Sequence, residues 1–244
     1  MSTKKKVCLD AGHDASNLWN ASPDGTYYEH EFALDMAVRM EAILTRSGVE
    51  VRLTRKDGKA VSLEARASAA NAISDLDLFV SLHSNAVGGG EWSDASGWSI
   101  YTSAAGEDAE RNKAANAILQ AVRNAGIAVR KEALVHRGFY VLRRTAAPAV
   151  LIEHGFHTNR GDVQLLKDAA YRDTLARAQC RGILAYLGLA EVPEKAAEPE
   201  PQPSAWAQNA WDKAVTAGIL DGTAPQQPVT REQLAAVLDR LKLL

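Results

Sequence analysis

Short apolar runs alternate along the chain with longer segments in which apolar residues recur every three or four positions. The short runs are rich in Val, Ile and Leu, which is typical of strands buried within a sheet. They predict six strands, at residues 6–11, 49–54, 76–81, 98–102, 138–143 and 149–153.

The longer segments carry the spacing of amphipathic helices. In the first of them Phe32, Met36 and Met40 share one helical face, so both methionines are expected to pack in the core. The same spacing predicts helices that begin or end at polar caps and glycines, at residues 29–46, 63–73, 109–124 and 168–187. Strands that alternate with helices predict an α/β fold with parallel strand pairs.

The composition is that of an ordinary globular protein and narrows the range of partners. The chain has 244 residues, of which 46% are apolar and 24% charged, enough for one full domain and a small second one. A net charge of −2 gives no reason to expect nucleic acid or a membrane as a partner. Cys8 and Cys180 form no CxxC pair, which argues against a thiolate metal site.

The N-terminal segment is basic, but the apolar run that follows is too short for the core of a secretory signal. We therefore expect synthesis in the cytoplasm and action elsewhere only after release. Towards the other end, residues 191–204 are rich in Pro and Glu and predict a linker. This divides the chain into a domain at 1–190 and a helical module at 205–244, in which Thr230 and Gln233 form a predicted capping box.

Polar residues stand at the ends of several predicted strands. His13 and His83 each follow an apolar run, and Glu153 ends the last one, where an apolar residue would be cheaper to bury. Because parallel strands place their carboxyl ends along one edge of a sheet, these side chains are expected to converge. Glu29, at the start of the first helix, could reach the same edge. Two histidines and a carboxylate form a common zinc site that leaves one position open for water.

Five motifs in order resemble those of the zinc-dependent N-acetylmuramoyl-L-alanine amidases, over residues 6–189. They are LDAGH at 9–13, Glu29 with Leu34, LTR at 53–55, SLHSN at 81–85, and the segment 148–159. The resemblance implies a mixed, mostly parallel sheet with helices on both faces. It also implies hydrolysis of the amide between N-acetylmuramic acid and L-alanine in peptidoglycan, with His13, Glu29 and His83 as Zn²⁺ ligands and Glu153 as the catalytic carboxylate.

The chain departs from the family pattern at two places. Asp14-Ala15-Ser16 replaces a glycine pair that often follows the first histidine, and His154 replaces an apolar residue after Glu153. Spacing alone leaves Glu31 open as an alternative to Glu29. His136, His154 and His157 are expected to be structural or exposed, with His157 or Arg144 as candidate substrate contacts; the substrate-binding residues are otherwise unknown.

The tail is similar to a single S-layer-homology motif, in WDKA at 211–214, GILDGT at 218–223 and TRE at 230–232. This resemblance implies binding to a secondary cell-wall polymer, by one weak site or by an assembly of several chains. The alternative is a helix pair that only stabilises a homo-oligomer. The whole chain is thus expected to be a lytic amidase of the phage endolysin type or of a sporulating cell. A zinc peptidase or carboxypeptidase, and a non-catalytic wall-binding protein, are the rival hypotheses.

Overall fold

The computed structural model describes residues 4–104, 109–194, 202–220, 222–223 and 225–243. The chain divides into two compact units, at residues 1–194 and 195–244. Within the described residues no helix is long and apolar enough to cross a membrane.

The first unit is built on a six-stranded sheet in the order β2-β1-β3-β6-β4-β5. Neighbouring strands are parallel except for β4 and β6, which pair antiparallel. The predicted mixed, mostly parallel sheet is therefore confirmed. The strands are β1 (Lys6–Ala11), β2 (Glu50–Leu53), β3 (Leu78–Asn85), β4 (Trp98–Thr102), β5 (Val129–His136) and β6 (Ala149–Phe156).

Helices cover both faces of this sheet, as predicted. A large apolar cluster on one face includes Phe32, Met36 and Met40, so the two methionines do pack in the core. A smaller cluster on the other face includes Phe79 and Val141. The helices are α1 (Glu29–Arg46), α2 (Leu63–Asn71), α3 (Glu110–Asn124), α4 (Tyr140–Arg144), α5 (Arg160–Lys167) and α6 (Ala169–Leu187).

Local capping interactions fix where several of these helices begin and end. The Ser62 hydroxyl accepts from the backbone N–H of Ala65, and the Asp168 carboxylate accepts from that of Tyr171. Gly188 ends α6 in the left-handed region at φ 72°, where a residue with a Cβ would be strained.

The prediction of a strand at residues 138–143 is wrong. That segment contains one helical turn, α4, whose Val141 and Leu142 are buried in the smaller cluster. The strand lies earlier, as β5, at the edge of the sheet. In its sequence, VRKEALVH, apolar and polar residues do not alternate regularly. One side of an edge strand is open to solvent and tolerates charged residues. The helix α5 was also not predicted, and β3 and β6 run further than expected, to Asn85 and Phe156.

The second unit contains two short helices, α7 (Gln208–Thr216) and α8 (Arg231–Arg240). The predicted capping box of Thr230 and Gln233 is present at the start of α8. Neither helix has a buried residue. Of the predicted linker, residues 195–201 lie outside the described residues, as does Asp221 of the S-layer-like motif. The start of the predicted linker belongs to the first unit, where Glu191 forms an ion pair with Arg181.

Candidate metal centre

Three side chains meet at the carboxyl edge of the parallel strands. His13 follows β1, Glu29 is the first residue of α1, and His83 lies near the end of β3. One nitrogen or oxygen atom from each lies within 4.8 Å of the others. Glu29 bridges the two rings, with Oε1 2.9 Å from His83 Nδ1 and Oε2 3.4 Å from His13 Nε2. The structure thus brings together all three residues that the resemblance assigned to a metal.

The backbone at His13 has an unusual shape that the sequence around it enforces. A Cβ on Gly12 would lie 2.4 Å from Cε1 of His83, so only glycine allows the two strands' histidines to come this close. His13 itself adopts φ 50°, a conformation rare for a residue with a side chain. Two buried arginines hold the turn: Arg55 donates to the carbonyl of Gly12 at 3.0 Å, and Arg66 to that of His13 at 2.6 Å.

Of the two acidic residues at the start of α1, only Glu29 faces the histidines. It is 2% exposed, whereas Glu31 lies on the solvent side of the helix. The backbone N–H of Ser84 donates to Glu29 Oε1 at 2.9 Å. The backbone N–H of Glu29 donates to the carbonyl of Asn20, which fixes the start of the helix against the preceding loop.

Buried hydrogen bonds from Asp10 through Ser81 orient the ring of His83. Asp10 and Ser81 are register partners on β1 and β3, and the Ser81 hydroxyl donates to Asp10 Oδ2 at 2.7 Å. A hydroxyl has a single proton to donate. The Ser81 oxygen, 3.1 Å from His83 Nε2, must therefore accept a hydrogen bond from that nitrogen. This places the ring proton on Nε2 and leaves the lone pair of Nδ1 directed at Glu29.

The proton positions make the centre suited to a cation. His83 Nδ1 and an ionised Glu29 Oε1 are both acceptors, and at 2.9 Å they would repel each other unless a proton or a metal cation lies between them. Burial raises the pKa of Glu29 to about 7, because its charge has lost contact with water. Burial also lowers the pKa values of His13 and His83, which favours the neutral imidazoles that metals bind. The donor set fits zinc.

Glu153 stands next to this group without belonging to it. It pairs with His83 in the register of β3 and β6, so the two side chains project from the same face of the sheet. Its Oε2 atom is buried and has no hydrogen-bond partner within the described part of the chain. Burial raises the pKa of Glu153 to about 8, and the charge of Glu29 acts in the same direction. A carboxyl group with such a pKa can exchange a proton near neutral pH.

His13, His83 and Glu153 all face a cavity of about 530 Å³. Its opposite wall comes from the start of α2, including Leu63, and from α4, including Tyr140. The cavity therefore lies on the face of the sheet that carries the smaller apolar cluster, and it is open enough to admit a substrate to the three groups.

The other histidines have supporting positions. His154 is buried, with Nδ1 2.7 Å from the carbonyl oxygen of His83 and Nε2 3.2 Å from Gln179, and burial lowers its pKa to about 4. His136 contacts Thr102. Arg144 lies over the ring of Tyr140 and does not line the cavity. Only His157 approaches the centre, with Nδ1 3.9 Å from Glu29 Oε2.

Sequence reasoning missed the groups that support the centre. The Tyr27 hydroxyl donates to Ser84 Oγ at 2.9 Å, and Ser84 Oγ lies 3.0 Å from His157 Nδ1. Asn20 Nδ2 lies 2.7 Å from His13 Nδ1. These residues come from separate loops and strands, and no local pattern marks them; the nearest signal was the proximity of Asn20 and Tyr27 to Glu29 in the loop before α1.

Comparisons with known proteins cover the first unit. A family model described as N-acetylmuramoyl-L-alanine amidase matches residues 7–185. The endolysin of Bacillus phage SPP1 is 35% identical over 187 residues, which are 76% of this chain and 67% of the endolysin. The germination-specific N-acetylmuramoyl-L-alanine amidase of Bacillus subtilis is 30% identical over 197 residues, covering 75% of this chain and 79% of that enzyme.

Solved structures agree with the sequence matches. The crystal structure of an N-acetylmuramoyl-L-alanine amidase from Clostridium difficile 630 is similar with a TM-score of 0.70 and 30% sequence identity. The similarity covers 77% of this chain and 98% of that one. The family match ends at residue 185, before the second unit begins.

Proposed function

The chain belongs to the N-acetylmuramoyl-L-alanine amidase family, and on that basis we propose that it cleaves peptidoglycan as a zinc-dependent, cell-wall lytic enzyme. The bond cleaved is the amide between the lactyl group of N-acetylmuramic acid and the L-alanine of the stem peptide. The observation that carries the proposal is the group His13, Glu29 and His83, with Glu153 beside it on the wall of an open cavity.

His13, Glu29 and His83 would hold Zn²⁺ through two imidazole nitrogens and a carboxylate oxygen, which leaves a position for water and substrate. When bound, the ion supplies Lewis acidity, which polarises the amide carbonyl and lowers the pKa of water. Asp10 and Ser81 keep His83 in the tautomer that presents Nδ1. The hydrogen bond from Ser84 holds Glu29 in place.

Glu153 is the proposed general base and acid. Its carboxylate takes a proton from the attacking water and delivers it to the nitrogen of L-alanine, because an amine leaves only after it is protonated. Burial raises the pKa of Glu153 in the metal-free protein, and the charge of a bound ion would lower it again towards the range of a general base. The unpartnered Oε2 is available for the proton, since no described residue competes for it.

The second unit is proposed to bind a secondary cell-wall polymer or to join several chains into a homo-oligomer. The support is that apolar side chains in and just after its two helices are exposed, among them Ile219, Leu234 and Leu241. One small module would bind weakly, and several joined modules would gain avidity. Cytoplasmic synthesis followed by release to the wall stays a prediction.

Removal and replacement of the metal test the proposal. The protein is dialysed against a chelator, its zinc content is measured, and lysis of purified peptidoglycan is followed before and after zinc is added. Lysis should stop when zinc is removed and resume when about one equivalent of zinc per chain is added. Added Mg²⁺ should not restore lysis, because it prefers oxygen ligands. Full lysis by metal-free protein would refute the zinc assignment.

A further inference from the structure

A second cavity, of about 440 Å³, lies on the opposite face of the sheet from the first. It is lined by Asp24 and Thr26, from the loop before α1, and by Trp92, Arg160 and Lys167. We call it the Trp92 groove.

The aromatic wall and one cation of the Trp92 groove are held in place. Trp92 packs against the larger apolar cluster, and the guanidinium carbon of Arg160 lies 4.2 Å from the centre of its ring. The next residue, Ser93, donates its backbone N–H to the carbonyl of Thr158 at 2.7 Å, which ties the loop to the end of β6.

The two cations of the groove form no direct ion pair. Within the described ranges neither Arg160 nor Lys167 has a carboxylate oxygen within 4.0 Å. Asp24 lines the same groove and accepts hydrogen bonds from the hydroxyls of Ser22 and Thr26, and Asp94 shares a small adjoining cavity with Arg160. The groove therefore offers an anionic ligand two cations, partly balanced by the charge of Asp24.

Two short segments of chain connect residues of the groove to residues of the metal centre. The loop that supplies Asp24 and Thr26 leads directly into Glu29. The end of β6 leads from His157, which lies 3.9 Å from Glu29, to Arg160 three residues later. Val163 of the groove belongs to the larger apolar cluster, whereas Val141 of the first cavity belongs to the smaller one. The two cavities thus lie on opposite faces of the sheet, and the residues of the metal centre line only the first.

We propose that the Trp92 groove binds the stem peptide of the substrate, with a free peptide carboxylate against Arg160 and Lys167. This inference rests on the proposed amidase function. The substrate has two arms that meet at the scissile amide, and the carboxyl group of the sugar's lactyl arm is consumed in that amide. The free carboxylates are on the peptide arm, which therefore matches the cationic groove. The first cavity is left for the sugar.

The test compares two soluble muropeptides that differ only in whether the second residue of the stem carries a free carboxylate or its amide. Zinc-loaded wild type is compared with the double variant Arg160→Gln/Lys167→Gln. The matched control, Lys4→Gln/Arg111→Gln, removes the same net charge near the opposite edge of the sheet, where β1 begins and β4 ends.

We expect the groove variant to raise KM for the acidic muropeptide about tenfold, the effect of losing one charge-assisted hydrogen bond, with kcat unchanged. KM for the amidated muropeptide should change less than twofold. Inhibition by the released acidic peptide should weaken by the same factor as KM rises. The control should match wild type in all three measurements.

Unchanged KM and unchanged inhibition in the groove variant would overturn the inference, as would equal losses for the acidic and amidated substrates. Failure of wild type to release an intact stem peptide from either muropeptide would instead refute the amidase function. The two failures are therefore distinguishable in one experiment.

Discussion

Nδ1 of His83 lies 2.9 Å from Oε1 of Glu29, and the ring proton of His83 is directed away from that carboxyl group. The proton of the imidazole is on the other nitrogen, because Ser81 gives its only hydrogen to Asp10 and can only accept from His83. The fold brings the two atoms together at a point where a proton on Glu29 or a metal cation would relieve their repulsion. This relationship underlies the first of the predictions below.

Ser81→Ala should weaken zinc binding by about 10- to 100-fold, the usual effect of losing a group that orients a metal-binding histidine. Affinity is measured by competition with a chromophoric chelator. The control is Thr54→Val, which removes another hydroxyl that donates to Asp10, at 2.6 Å, but does not touch His83. Equal affinity in Ser81→Ala and the control would show that the hydroxyl does not set the orientation of His83.

Glu153→Gln should keep its zinc and lose about 10²- to 10⁴-fold in kcat, because the amide can neither accept the proton of water nor deliver one to the leaving nitrogen. His13→Ala and His83→Ala should instead lose the metal. Zinc content and kcat are measured on the same samples. Loss of zinc from Glu153→Gln would make Glu153 a ligand and contradict the separation of roles.

The metal-free protein should show a specific pH dependence of stability. The pKa of Glu153 is about 8 in the folded protein and 4.5 as the ordinary value, so between these the folded state holds a proton that the unfolded state has lost. The contribution of Glu153 to the free energy of unfolding therefore falls as pH rises from about 5 to 8.

Gln cannot ionise, and the stability of Glu153→Gln relative to wild type should increase across the same interval and level off above it. Denaturant unfolding of both metal-free proteins at several pH values measures this difference. A difference that stays constant from pH 5 to 9 would show that the carboxyl group is not buried as described.

The sequence predicted a site residue correctly where the end of one strand determines the position of that residue. His13, His83 and Glu153 follow or lie near the ends of β1, β3 and β6, and parallel pairing alone brings such residues to one edge. The supporting network could not be foreseen, since Asp10 meets Ser81 only through the register between two strands that are distant in sequence. Edge strand β5 was not predicted because its charged residues interrupt the alternation of apolar and polar residues that is typical of a strand.

Truncation after residue 194 tests the second unit. Glu191 and Val192 stay in this variant because they bond to Arg181 and Ser47 of the first unit. The truncated protein should keep its zinc and its kcat on soluble muropeptides, but co-sediment less with purified cell walls or contain fewer chains per assembly. If both wall binding and the number of chains per assembly are unchanged, the proposed role of the second unit is wrong.

The most direct test of the central claim is mass analysis of the products from a defined muropeptide treated with zinc-loaded protein. An amidase adds one water at the lactyl amide and yields two products, the free sugar acid and a full-length stem peptide with an L-alanine amino terminus. We predict these two masses alone, with neither formed by Glu153→Gln. A shortened peptide still attached to the sugar would contradict the account and identify a peptidase instead.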